Sequence, residues 1–448
     1  MNEDCRKPEE TVTVNAPAGK VKGYSTEKCL VFSSLRYADS ERFKVSAAVK
    51  ETEDFVEQSE KIPVCPQNIS PFLDRMIGKS TVENFRSEES CQFLTITVPK
   101  KTEQEEPLPV LVWIHGGSYE LGGGEAHISN PEMLVSEEKI IVVSLTYRLG
   151  FFGFLGGYDE RPANLGLLDI IEGLKWIKRN ISSFGGNPEN ITVMGQSSGG
   201  DAAAHLMISK GVEGLFHRVI IQSAPLGLRR KRQKMSRFFS EKLSEFLHEE
   251  DSDKILKAQR ENAPSVMKFG LKAAMPFGTQ YGFEPLPAEK DSLEKWKEKA
   301  SKFDIMIGLN DEETAFYVAA NENLEKRFHS GYAGKLIRKA VRLTTETIYG
   351  KPAKLFAKLF AKAGANVYQF RIHAGFEGKN YGAAHCIDLP LIFPHEENWK
   401  NTGLLQNIPM EEFSAYSEQM LKIWGSFIRT GTINPKLEIP EILDIRKV

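Results

Sequence analysis

Cysteine is scarce and scattered in this chain: five residues in 448, at positions 5, 29, 65, 91 and 386, odd in number and without a C-x-x-C pair. That excludes a disulfide scaffold and gives no basis for a zinc site, so neither a metal nor another cofactor is expected. Charge of one sign is equally lacking. Lys+Arg total 58 against Asp+Glu 60, a formal net charge of -2, without the basic excess of a nucleic-acid binder and without an acidic tail. The one conspicuous basic run, residues 229–234, reads as the solvated start of the polar helix that follows it. Long apolar runs are missing too. Nothing reaches the length that spans a bilayer, and the N-terminal MNEDCRKPEETVTV mixes charges where a secretory signal would carry an apolar centre. The expectation is a cytoplasmic protein, or a secreted one if a leader preceded Met1. Its partner is expected to be a small molecule and not a nucleic acid, with the oligomeric state open.

What is present is a rhythm. Short apolar, β-branched runs at 108–114, 140–145, 191–194, 219–221, 304–307 and 367–370 read as buried strands. Between them lie segments of helical period, the clearest formed by Leu167, Leu168, Ile170, Ile171, Leu174, Ile177 and Ile181. Alternating strands and helices predict an α/β fold with a mostly parallel central sheet flanked by helices. Two stretches, about 229–300 and 320–345, break the rhythm and read as cap-like excursions of a single domain spanning 1–448.

The segment ITVMGQSSGGDAAAHLM holds G-x-S-x-G at Gly195 to Gly199, with Ser197 at its centre. A strand pattern precedes it and an alanine-rich helix pattern follows. That is the context in which small residues two before and two after a serine let the chain turn sharply and lift its Oγ clear. An isolated motif of this kind is more often a glycine turn, so the rest of the chain is the test. A serine nucleophile needs a base for its proton and N–H donors for the developing oxyanion. After 108–114 comes HGGSYELGGG, whose His115, Gly116 and Gly117 match the glycine loop that supplies such donors in α/β-hydrolases.

With these motifs in this order, the chain resembles the type-B carboxylesterases, the family that includes the cholinesterases. The likeness extends through YRLGFFGFL at 147–155, NLGLLDIIEGLKWIKRNISSFGGNPENITVMG at 164–195 and FHRVIIQSA at 216–224. It implies the α/β-hydrolase fold and a metal-free serine carboxylesterase that works through an acyl-enzyme, with Ser197 as nucleophile. GAAHCIDLPLIF resembles the family's histidine loop, which makes His385 the base. IGLNDEETAFY resembles its acid loop. Charge alone leaves Asp311, Glu312 and Glu313 level, and the resemblance selects Glu313. The oxyanion hole implied is the N–H groups of Gly117, Ser118 and Ser198, with Gly116 at the turn, and Ser223 is expected to support the acid.

The chain also departs from its family. Gln196 stands before the nucleophile where Glu is usual, removing a charge near the base, and Ser118 replaces a third glycine. Cys65 and Cys91 fall where the family closes a loop with a disulfide, so they form a candidate pair. Between them there is no Trp, which leaves no platform for a quaternary ammonium group. The rival readings are a silent binding protein of the same fold, and an amidase or acyltransferase using the same triad.

Overall fold

The computed structural model describes residues 11–78, 85–100, 106–373, 381–406 and 408–448; Cys5 and most of the N-terminal segment lie outside them. Eleven strands make one sheet: β1 (Thr11–Ala16), β2 (Gly19–Ser25), β3 (Cys29–Arg36), β4 (Phe93–Pro99), β5 (Leu108–Ile114), β6 (Ile141–Leu145), β7 (Gly186–Gln196), β8 (Arg218–Gln222), β9 (Asp304–Asn310), β10 (Asn366–Ile372) and β11 (Leu443–Lys447). Their order is β1-β2-β3-β4-β6-β5-β7-β8-β9-β10-β11. The central run from β6 through β10 is parallel, and the strands at either edge are antiparallel.

Parallel strands covered on both faces need apolar side chains on both faces. In β5, Val110, Val112 and Ile114 join one core while Leu111 and Trp113 join the other. Helix Leu165–Asn180 seals the first core with Leu167, Ile170, Ile171, Leu174 and Ile177. Helix Met410–Thr430 seals the second with Met420, Ile423, Trp424 and Phe427. Each such side chain contributes roughly 1.5–3 kcal/mol by leaving water.

The runs read as strands coincide with β5 to β10. The antiparallel strands β1 to β4 and β11 carry no such reading. In β2, GKVKGYS alternates small, charged and apolar residues because one face meets water, so no apolar run forms.

The first excursion holds helices Gln233–Leu243, Ser252–Asn262 and Ser292–Ala300. Here the basic run is solvated as expected at Arg230, Lys231 and Lys234 but not at Arg229 and Arg232. Arg232 is buried, with Nη2 donating to the carbonyls of Met275, Pro276 and Phe277 at 2.6, 3.3 and 2.8 Å. Arg229 is also buried, its guanidinium 4.6 Å from the Phe356 ring and 5.2 Å from that of Trp296. Carbonyls and aromatic faces replace the water that a charge run normally keeps.

In the second excursion, helix Glu322–Phe328 leads to Gly331–Thr345, which continues through a π-helical turn, Glu346–Gly350, into Lys351–Lys362. Among the described residues no helix is long and apolar enough to cross a membrane.

Candidate active site

The parallel strands deliver their loops to one edge of the sheet, and the chemistry-bearing side chains gather there. Ser197 directly follows β7 and precedes helix Ser198–Leu206. The turn is tight enough that a Cβ on Gly195 would lie 2.2 Å from the Gly199 carbonyl oxygen, so a side chain there is excluded. Ser197 itself is held at φ 57°, ψ -126°, a conformation L-residues rarely adopt and one that costs about 1–3 kcal/mol.

Across from it lies His385, whose Nε2 is 2.8 Å from Ser197 Oγ and whose Nδ1 is 2.5 Å from Glu313 Oε2. All three side chains are buried. Glu313 opens the 3-10 helix Glu313–Ala320 three residues after β9, and the Asn310 N–H donates to its Oε1 at 2.8 Å. The acid and histidine segments are stitched together by backbone bonds, Glu312 N–H to Ala383 O at 2.9 Å and His385 N–H to Glu313 O at 3.1 Å. Of the three adjacent carboxylates, only Glu313 reaches the imidazole. Asp311 pairs with Arg371, and burial raises the Glu312 carboxyl above its usual range.

The glycine loop follows β5. A Cβ on Gly116 would meet the Gln196 carbonyl oxygen at 2.8 Å and the Ser197 Cβ at 3.0 Å, so only glycine permits the approach to the elbow. Gly117 has φ 111°, and both Ser118 and Tyr119 also take positive φ, 58° and 61°. The loop holds this shape through the Tyr119 N–H bond to Ser198 Oγ at 3.2 Å and the Tyr119 hydroxyl bond to Asp201 Oδ2 at 2.8 Å. Gly116, Gly117 and Ser118 line the same cavity as Ser197 and His385, of about 170 Å³. Ser198, fully buried, sits at the first turn of its helix, where N–H groups lack intrahelical partners. His115 is structural in its bonding: Nδ1 lies 2.8 Å from the Gly116 carbonyl, the ring stacks on Tyr147, and burial lowers its pKa to about 4.

Gln196 is buried and directs Nε2 to Cys386 Sγ at 3.7 Å, where a carboxylate could not donate. Ser223 does not support the acid: its Oγ has no hydrogen-bond partner among the described residues, and the Asn310 backbone takes that part. Cys65 and Cys91 are free, buried thiols, not joined as a disulfide, and Cys65 Sγ accepts from the Leu149 N–H at 3.2 Å. Burial pushes the Cys91 thiol well above its usual range.

A second carboxylate, not singled out in the sequence, stands behind the acid. Asp388 accepts from Gln222 Nε2 at 3.0 Å and from Asn310 Nδ2 at 3.3 Å, fully enclosed. Its position three residues after His385 is the one signal the sequence holds. Burial first, then the charge of Glu313, raises its pKa to about 6. Because the folded value lies above the unfolded one, ionising Asp388 weakens the fold as pH rises from about 4 to about 6. Asp388→Asn removes that penalty. Its stability relative to the parent, measured by urea denaturation across that window, is expected to rise by about 3 kcal/mol. A pH-independent difference would contradict the assignment.

Comparisons with known proteins place the chain in a family. The model of the carboxylesterase family matches residues 10–333. A probable N-octanoylanthranilate hydrolase of Rhodococcus erythropolis is 32% identical over 94% of this chain and 94% of its own. The para-nitrobenzyl esterase of Bacillus subtilis is 28% identical over 95% and 91%. A solved thermophilic PNB esterase superposes with a TM-score of 0.79 at 26% identity, covering 97% of each chain. With an α/β-hydrolase sheet beneath it and this match along most of its length, the chain belongs to the carboxylesterase family.

Proposed function

We propose that this protein hydrolyses carboxylic esters through an acyl-enzyme on Ser197. The observation that carries the proposal is the unbroken relay from Glu313 through His385 to Ser197, with spacings of 2.5 and 2.8 Å, ending at the cavity. His385 Nε2 accepts the Ser197 proton as Oγ attacks the ester carbonyl, and Glu313 holds the imidazole in the tautomer that can accept it. The N–H groups of Gly117, Ser118 and Ser198 receive the oxyanion. His385 returns the proton to the departing alcohol, and water then repeats the attack on the acyl-enzyme.

The lining favours small to medium uncharged esters. Leu73, Ile77, Trp113, Ile128, Phe316 and Leu389 form apolar walls, and the lining includes Glu120 and Asp74 but no lysine or arginine among the described residues. Burial raises the Glu120 carboxyl to about 7, so the pocket gains negative charge above neutrality and increasingly disfavours anionic substrates. A second reading, cleavage of an N-acyl bond by the same acyl-enzyme, is favoured by the relative named as an N-octanoylanthranilate hydrolase.

The test is covalent labelling with a fluorophosphonate followed by peptide mapping, alongside turnover of p-nitrophenyl butyrate and of the corresponding anilide. The expected result is one label on Ser197 with loss of ester turnover, and faster cleavage of the ester than of the anilide. Faster anilide cleavage selects the second reading. Full ester turnover by labelled protein overturns both.

A further inference from the structure

Residues 331–362 run as one helical rod, helix to π turn to helix, roughly 45 Å long. Its inner face is buried: Val341, Thr345, Tyr349, Phe356 and Phe360 pack inward, and the Tyr349 ring lies 5.6 Å from that of His385. The outer face has an unusual composition for a solvated surface. Tyr332, Leu336, Leu343 and Leu355 stand 77%, 53%, 61% and 67% exposed, spaced so that they follow one line along the rod.

Cations fill the gaps in that line. Lys335, Lys339 and Arg342 are exposed along the first helix, and Lys351, Lys354, Lys358 and Lys362 along the second. The one acid of the rod, Glu346, is committed to Arg371 at 2.7 Å. Among the described residues none of these lysines is paired with a carboxylate. The chain's overall charge is only -2, whereas this strip carries seven cations and no exposed acid of its own.

We infer that this strip docks the protein on an anionic lipid surface. Lipid headgroups of negative charge attract the lysines, and the interfacial zone beneath them accepts the leucines and the tyrosine that water does not favour. A second copy of the chain would oppose seven like charges. Nucleic acid would satisfy the cations but leave the apolar line exposed, so the bilayer is the occupant that uses both halves of the pattern. Docking would set the helix that backs the histidine segment against the membrane. The inference goes beyond ester hydrolysis and is read out by binding alone, so it stands or falls separately from the proposed activity.

The full chain is sedimented with vesicles of phosphatidylcholine, with or without phosphatidylglycerol, at low and high salt. Association only with the phosphatidylglycerol vesicles, weakened by salt, is expected. The triple variant Leu336→Ser, Leu343→Ser, Leu355→Ser should lose this association by roughly tenfold while hydrolysing a soluble ester at the parent rate. Replacing Lys335, Lys339 and Lys354 by glutamine should lose it comparably. Equal association with both kinds of vesicle, or undiminished association of the serine variant, overturns the inference. So does tighter binding to duplex DNA than to phosphatidylglycerol vesicles.

Discussion

Ser197→Ala protein is expected to fold like its parent and to lose roughly 10⁶-fold in kcat on p-nitrophenyl butyrate. At 1.36 kcal/mol per factor of ten, that is about 8 kcal/mol of barrier. In the proposed mechanism the loss is large because without Oγ no acyl-enzyme forms, and neither His385 nor the oxyanion donors have a protein nucleophile to serve. What survives is the slow attack of bulk water on an ester held against the oxyanion donors. Alanine must occupy the same φ of 57°, so the strain stays and Tm should not shift appreciably. A residual rate within tenfold of the parent would place the nucleophile elsewhere.

Glu313→Gln is expected to reduce kcat by about 10⁴, whereas Asp311→Asn and Glu312→Gln change it only severalfold. The carboxylate at 2.5 Å from Nδ1 keeps the proton on that nitrogen and leaves Nε2 free to accept from Ser197. A carboxamide can turn its NH₂ toward Nδ1 and so stabilise the tautomer protonated at Nε2, which cannot act as base. Steady-state kinetics on the three variants with one soluble ester distinguish them. If Glu312→Gln carried the large loss, the acid would be the neighbour and the observed spacing misleading.

How legible this was depends on the residue. The six buried parallel strands announce themselves because both faces need apolar side chains, while β1 and β2, with one face in water, look like ordinary polar sequence. Ser197 and His385 stand in glycine- and alanine-rich loops whose composition follows from tight turns. The choice among Asp311, Glu312 and Glu313 is a matter of one backbone turn, set by the 3-10 helix that starts at Glu313, and residue type carries no trace of it. Asp388 and Gln222 lie 166 positions apart, so only the folded sheet brings them together. Arg232 misleads in the opposite direction. Its charge suggests solvent, yet three carbonyls enclose it, and nothing nearby in the chain hints at residues 275–277.

The bond between Ser197 and His385 spans 188 positions, and the parallel strands between them can pair only after long crossovers have closed. Closing such loops gives up chain entropy before any contact rewards it, which makes this geometry late in folding. Ester turnover during refolding therefore works as a clock for the final docking of β10 and the segment after it. Helix content can recover while the nucleophile and its base still belong to separate parts of the chain, so hydrolysis should return with a lag behind the far-ultraviolet signal.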